Sequence, residues 1–305
     1  MPSLLQAAET NLIADGALTP RPFPPPWCCA WGDDQYGLWA DFAVNSVVQR
    51  MRWIEPGQFL MGSSSYEEGR YGDEGPQHRV SISRGFWLAD TACTQALWQA
   101  VMGDNPSAFY AQNRGGPLHP VEQVSWNTVC DFLRTLQTRL PLCLASLPTE
   151  AEWEYACRAG TNTPFFFGKT ISSQQANYAG NAWGNGKEGQ FREQTVAVKA
   201  LPANAWGLYQ MHGNVWEWCA DNWRDYAENP MPNPGLDQAL AIGPGIRDGA
   251  GPDAASTARV VRGGGWRSLA RSVRTAYRNH REPGRRDDSL GFRLALRSQS
   301  QASRV

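Results

Sequence analysis

Apolar and polar residues change their spacing several times along this chain, and each change marks an element. Residues 36–42 and 47–54, rich in aromatic and β-branched side chains, predict a pair of strands. Pro56-Gly57 predicts a turn, and Phe59-Leu60-Met61-Gly62 a further short strand. Residues 67–78 are polar and carry glycines, which predicts a loop, whereas 80–90 alternate as a strand does. The period then becomes helical. Thr94 caps a helix whose Leu97, Trp98, Val101 and Met102 share a face. Ser125 caps a second, with Val129, Phe132, Leu133 and Leu136 inward. Thr149-Glu150-Ala151-Glu152 is a capping box opening a third, which buries Trp153, Ala156 and Cys157 and ends at Gly160. Beyond that glycine the helical period stops. Residues 177–188 and 226–256, dense in Asn, Gly, Pro and Asp, predict long ordered loops, with short strands near 196–198, 207–209, 260–262 and 291–294. Loops of that length inside a domain are usually functional.

One stretch stands apart: Leu208-Tyr209-Gln210-Met211-His212-Gly213-Asn214-Val215-Trp216-Glu217-Trp218. It predicts a strand, a tight Gly-Asn turn, then two indoles on one side of an extended backbone with Glu217 on the other. A carboxylate held against such an aromatic layer needs a partner, either a hydrogen-bond donor or a metal ion.

The totals narrow the class. With 305 residues, 14 Trp, 30 Gly, 21 Pro and a formal net charge of −1, the chain suits one large globule with aromatic cores and much irregular structure. No apolar run approaches a membrane span, and the N-terminus lacks a positive region followed by an apolar one, so a cytoplasmic location is expected. The seven cysteines, Cys28, Cys29, Cys93, Cys130, Cys143, Cys157 and Cys219, are odd in number and irregularly spaced, which predicts free thiols. Residues 1–26, ending in a proline run, are expected to be a tail or linker. Residues 27–297 form the domain and 298–305 a second tail.

Five motifs stand in order: Trp53-Ile54-Glu55-Pro56-Gly57-Gln58-Phe59-Leu60-Met61-Gly62, Leu147-Pro148-Thr149-Glu150-Ala151-Glu152-Trp153-Glu154, Gly213-Asn214-Val215-Trp216-Glu217-Trp218, Arg262-Gly263-Gly264-Gly265-Trp266 and Gly291-Phe292-Arg293. Over roughly residues 50–296 they resemble the formylglycine-generating enzyme (sulfatase-modifying factor) family. The resemblance implies an α+β, C-type-lectin-like fold with few regular elements and long ordered loops.

What it implies for activity is less direct, because function lives in the site. Catalytic members carry two copper-binding cysteines after the Gly-Gly turn, which oxidise a substrate cysteine. Here Ser268 and Val273 stand in those places, and no cysteine follows Cys219. A hydroxyl and an isopropyl group cannot replace thiolates for Cu(I). A related branch uses iron held by three histidines; His78, His119, His212 and His280 are scattered. Neither copper nor iron is expected, and no catalytic residue is assigned. Calcium fits the resemblance better. One family site maps to Gln210, Gly213, Val215 and Glu217, with Gln210 in place of a family Asn, and Asn177 and Tyr178 resemble half of a second.

The C-terminal tract adds a further resemblance. Residues 259–297 hold eleven arginines against Glu282, Asp287 and Asp288. Few aromatics interleave with them and no lysine joins them, so nucleic acid is not the expected partner. The arginines are expected to tie down irregular backbone, each guanidinium supplying five donors. The tract 259–295 also looks like the variable region of proteins diversified by retroelements, in which adenine-directed mutation randomises Asn-type codons on a lectin-like scaffold. The candidate variable positions are Arg267, Ser268, Leu269 and Ser272, then Tyr277, Asn279 and His280, then Asp287, Asp288 and Ser289. Each of those residue types arises from an Asn codon changed at its first two bases. Trp266 does not, and would be a fixed part of the same surface. The expectation is therefore a non-catalytic binding protein whose partner, a protein, docks on this tract. Two alternatives stand beside it: an oxidoreductase acting on a protein cysteine, and a non-catalytic member of fixed specificity.

Overall fold

The architecture follows from where the chain can close hairpins. In the computed structural model, which describes residues 18–140, 142–226 and 258–298, β1 (Ala30–Asp34), β2 (Gly37–Val44) and β3 (Val47–Ile54) form an antiparallel meander. Asn45 and Ser46, at φ +47 and +71, make the two-residue turn between Val44 and Val47. Two left-handed residues there match the twist of the strands they join. Next come β4 (Gly57–Met61) and β5 (His78–Ile82), which pair as a separate ribbon, and β6 (Phe86–Ala89), which returns beside β3. The run 80–90, expected as one strand, is thus two. The chain leaves the ribbon at residues 83–85, where Gly85 passes so close to Trp53 that a Cβ would lie 2.2 Å from the indole.

Three helices follow, all with the expected caps. In α1 (Gln95–Met102) the Thr94 hydroxyl accepts from Leu97 N at 3.1 Å. In α2 (Trp126–Arg139) Ser125 accepts from Thr128 N at 3.2 Å. In α3 (Glu150–Arg158) Thr149 and Glu152 satisfy each other's backbone amides at 3.1 and 2.8 Å. The left-handed stop of α3 starts at Ala159, φ +43, with Gly160 continuing it at +87. Between the last two helices lies β7 (Cys143–Ser146).

The rest of the chain forms β8 (Trp216–Asn222), β9 (Arg259–Arg262), β10 (Arg278–Arg281), β11 (Leu290–Phe292) and β12 (Ala295–Ser298). One six-stranded sheet has the order β1-β2-β3-β6-β12-β7; a four-stranded one has the order β10-β9-β8-β11, with β8 and β11 parallel. The expected strands at 196–198 and 207–209 do not form. Val196 N donates to the Asn214 side chain at 2.9 Å and Val198 N to Leu118 O, while Tyr209 makes only an isolated bridge to Ala203. With those groups already satisfied, no ladder is needed. None of the helices among the described residues is long and apolar enough to cross a membrane.

The proline-rich segment is not a free spacer where it is described. Pro20 and Pro25 are buried, the Trp53 indole donates to Leu18 O at 2.8 Å, and Cys28 N donates to Pro25 O. Prolines have no N–H to leave unpaired, and Pro20, Pro22, Pro25 and Pro26 line a small pocket together with Trp27, Trp53 and Trp87. The remainder of that tail (1–17), most of the second long loop (227–256) and the end of the C-terminal tail (299–305) lie outside the described residues.

Buried ion pairs join the C-terminal tract to the body. Arg278 grips Glu150 at 2.7 and 2.8 Å, Arg262 reaches Glu154 and three backbone carbonyls, and Arg297 meets Glu152. All three acids project from α3, the helix of the capping box. Burial pushes the Glu154 carboxyl up, yet Arg158 and Arg262 beside it outweigh this and hold it below its ordinary value. Arg274 bridges Glu67 and Glu74 and donates to Gly69 O at 3.1 Å. The arginines do tie down irregular backbone, and they neutralise buried acids while doing so.

Candidate ligand-binding site

The 208–218 stretch builds the floor of the site. Gly213 and Asn214 turn the chain at φ +80 and +65. A side chain at residue 213 has no room, since a Cβ would lie 2.2 Å from Asn177 O. Asn214 fastens the turn by donating its N–H to Asn177 O at 2.7 Å and accepting the Asn177 amide at 3.0 Å. Strand period two then sends Trp216 and Trp218 into one core, with Phe132, Leu290 and Phe292, while Glu217 faces the other way. Its partner is a donor. Arg293 donates to both carboxylate oxygens at 2.8 and 3.0 Å, and the Trp153 indole adds a third bond at 2.7 Å.

That arrangement decides the fit of calcium at the first expected set. A guanidinium on the Glu217 carboxylate repels a dication and fills the ligand positions, so Glu217 does not fit as a calcium ligand. The Gln210 side chain is likewise committed, donating to Ala197 O at 2.9 Å and accepting from Asn214; Gly213 and Val215 are buried. At the second set, the Asn177 side-chain oxygen and the Tyr178 hydroxyl are buried and have no hydrogen-bond partner among the described residues.

Above Trp216 opens a cavity of about 260 Å³. The segment after the Gly-Gly-Gly turn contributes Arg267, Ser268, Ser272 and Tyr277, and β10 contributes Asn279 and Arg281. The chain entering β11 contributes Asp287, Ser289 and Leu290. Trp216 closes the bottom, its ring 5.8 Å from that of Tyr277 and 5.9 Å from the Arg281 guanidinium. Tyr277 in turn packs edge-on against Tyr71 at 5.3 Å. The wall is thus two aromatic faces set among hydroxyls, an amide and charges.

Asp287 organises the charged side. Burial pushes its carboxyl up, but the Ser289 and Arg285 donors and the nearby Arg267 outweigh burial and bring it down to about 2, so it is ionised at neutral pH. Ser289 Oγ donates at 2.7 Å and Arg285 at 3.0 Å. Arg267 spans Asp287 and Asp288, the latter at 2.7 Å. Burial also raises Tyr277, which stays a neutral phenol.

Seven of the positions expected from sequence meet at this cavity, although they are spread over residues 267–289. Four do not line it. Trp266 is a buried strut between Phe109 and Phe191, its indole donating to Asp288 O at 3.0 Å. Leu269 is exposed beside the opening, and Asp288 stands behind Arg267. His280 is exposed but lies on the other side of β10 from the cavity. Residues 278–281 are a strand, so Arg278 and His280 share the face that packs on Trp223, at 4.2 and 4.6 Å, while Asn279 and Arg281 take the cavity side. Trp216, Arg281 and Leu290 were missed, and a period-two reading of 278–281 finds Arg281.

No thiol serves the cavity. Ser268 lies on its wall, accepting from Gly265 N at 3.0 Å, and Val273 is fully buried in a small core with Phe165, Ile171 and Ala270. The nearest cysteine–histidine contact is structural. Cys157 Sγ lies 3.9 Å from His212 Nε2, but burial pushes the thiol up to about 12 and His212 down to about 4. Both His212 nitrogens are engaged, one at Val273 O and one at Phe166 N. All seven cysteines are free.

Comparison with known proteins bears on the family and the fold. Residues 37–298 match the family described as "Sulfatase-modifying factor enzyme 1-like domain". The chain is 32% identical over 272 residues to the serine/threonine-protein kinase pkn1 of Chlamydia caviae, covering 82% of this chain but only 38% of that protein. It is 31% identical over 244 residues to the formylglycine-generating enzyme of Streptomyces coelicolor, covering 74% of this chain and 69% of that one. Among solved structures, Treponema denticola variable protein 1 superposes with a TM-score of 0.65 at 28% identity, covering 85% of this chain and 99% of that one.

Proposed function

This chain belongs to the sulfatase-modifying factor family, and from that premise we propose that it is a non-catalytic binding protein that presents the 267–290 cavity to a protein ligand. The observation that carries the reading is convergence. Seven of the ten candidate variable positions, scattered along the tract, come together on one concave surface, while the arginines between them hold the scaffold. The surface mixes Tyr, Ser, Asn, Arg and Trp, which combines stiff aromatic anchors with adaptable hydrogen bonding. The likeness to Treponema denticola variable protein 1 supports retroelement diversification of these positions.

The test is to sequence this gene and its flanking DNA from many cells of one population. The expected result is a nearby repeat of the tract differing at adenines, with changes at codons 267, 268, 272, 277, 279, 287 and 289. Codons 262, 274, 278 and 293 stay constant. Invariance throughout leaves a binder of fixed specificity. The enzymatic alternative has its own check: copper, oxygen and a cysteine-containing sulfatase peptide, from which conversion of thiol to aldehyde overturns the non-catalytic reading. Free cysteines suit a reducing compartment such as the cytoplasm. For calcium, the Asn177 side-chain oxygen and the Tyr178 hydroxyl, without hydrogen-bond partners among the described residues, are the remaining candidate ligands.

A further inference from the structure

Most arginines of the tract meet a carboxylate, and of the two that line the cavity Arg267 does so and, among the described residues, Arg281 does not. Arg262, Arg274, Arg278, Arg293 and Arg297 each meet a buried carboxylate, and Arg267 and Arg285 meet Asp287. Arg281 meets none among the described residues. One of its terminal nitrogens donates to the Asn279 side chain at 3.0 Å and to His280 O at 2.8 Å, which fixes the guanidinium against Trp216. The other terminal nitrogen and Nε keep their donors free among the described residues.

We infer that Arg281 is the anion anchor of the cavity, and that the ligand presents a carboxylate there, an Asp or Glu side chain on a protein surface. This rests on the binding function proposed above. A guanidinium held at one corner keeps a planar edge of donors for a carboxylate, and the fixed geometry lowers the entropy lost on pairing. Trp216 and Tyr277 supply the apolar wall for the stem of that side chain. A single charge fits better than a phosphate's double one, because ionised Asp287 lines the same cavity and repels the second charge. Exposed apolar side chains next to this tract, Leu269 following Ser268 and Phe191 stacked on Trp266, extend the contact beyond one side chain. Leu269 is 57% exposed and Phe191 44%, and Tyr71 flanks Tyr277. A rim of that kind fits a macromolecular partner.

The experiment pans a phage-displayed random peptide library on the full chain and retains clones that Tyr277→Ala no longer binds. Asp or Glu should be enriched in them over the starting library. For a synthetic peptide from that set, Arg281→Gln weakens binding about tenfold, as does replacing the peptide's acid by its amide, and the two losses do not add. Arg281→Lys recovers part of the affinity. Losses that add, or no acidic enrichment, overturn the carboxylate assignment and leave the binding function standing. A phosphoserine peptide that outbinds its Glu counterpart also overturns it. Peptides indifferent to both Tyr277→Ala and Arg281→Gln overturn the cavity as the binding site altogether.

Discussion

Arg293 and Glu217, 76 residues apart, close a two-pronged ion pair at 2.8 and 3.0 Å beside the parallel strands β8 and β11. Both side chains are almost wholly buried. Arg293 also donates to Ala89 O and Tyr209 O, so a single guanidinium pins the end of β11 to two other parts of the chain.

Removing one partner from that pair leaves the other charged and buried. Glu217→Gln should therefore cost about 3–5 kcal/mol, read from urea denaturation. A loss below about 1 kcal/mol puts water on the pair and contradicts its burial.

The same logic separates the arginines into two groups. Arg274→Ala and Arg278→Ala remove the two-pronged partners of buried Glu74 and Glu150 and should cost about 3–5 kcal/mol each. Asn279→Ala and Arg281→Ala face the cavity and should change stability by about 0.5 kcal/mol or less. Thermal melts of the four variants decide it.

Chelation tests the metal question. Because Arg293 already occupies the Glu217 carboxylate, EDTA should leave the melting temperature within about 2 °C of its value in calcium. A calcium-dependent rise well beyond that points to the free oxygen of Asn177, and Asn177→Ala must then abolish it.

Glu122 gives a pH signature. Burial raises its carboxyl from 4.5 to about 7, against the Phe109 and Ala108 backbone donors that lower it. The folded chain therefore holds this proton more tightly than the unfolded one. The sign follows: stability is unaffected below the unfolded value, falls as pH rises from about 4.5 towards 7, and stays lower above. The full difference is about 3 kcal/mol. His212, lowered to about 4, has the opposite dependence between 4 and its ordinary 6.5, and Asp221, also raised to about 7, has the same dependence as Glu122. Measuring wild type against Glu122→Gln from pH 4.5 to 8 isolates the one group. A difference that does not change with pH removes Glu122 from the account.

Thiol chemistry provides a simple count. Cys29 is exposed and Cys28 half-buried, while the other five are buried. A disulfide reagent on the native protein should label Cys29 quickly and Cys28 slowly, and reach all seven only in denaturant.

Much of this was legible in the sequence where local rules decide. Thr94, Ser125 and Thr149 marked their helices because capping is settled within four residues. Trp216, Glu217 and Trp218 took the expected sides because period two is a property of the backbone. Reading failed where distant groups replaced neighbours. Val196 looked like a strand residue, yet its N–H is taken by the Asn214 side chain. The partner of Glu217 was open between a donor and a metal because Arg293 lies so far along the chain. At the cavity, the segment 278–281 carries no alternation of polar and apolar residues, being Arg-Asn-His-Arg. Its strand character was invisible, and with it the split that puts exposed His280 on one side of β10 and Arg281 on the cavity side.

The interleaving within β10 has a consequence for anyone wishing to reuse this surface. Arg278 plugs into Glu150 on a helix more than a hundred residues earlier, and its next neighbour, Asn279, faces the cavity. The acceptors for Arg262, Arg274 and Arg293 are remote too, 108, 200 and 76 residues away. Transplanting the tract as one cassette onto another scaffold would carry its guanidinium plugs without their sockets. The cavity's side chains are portable only one at a time.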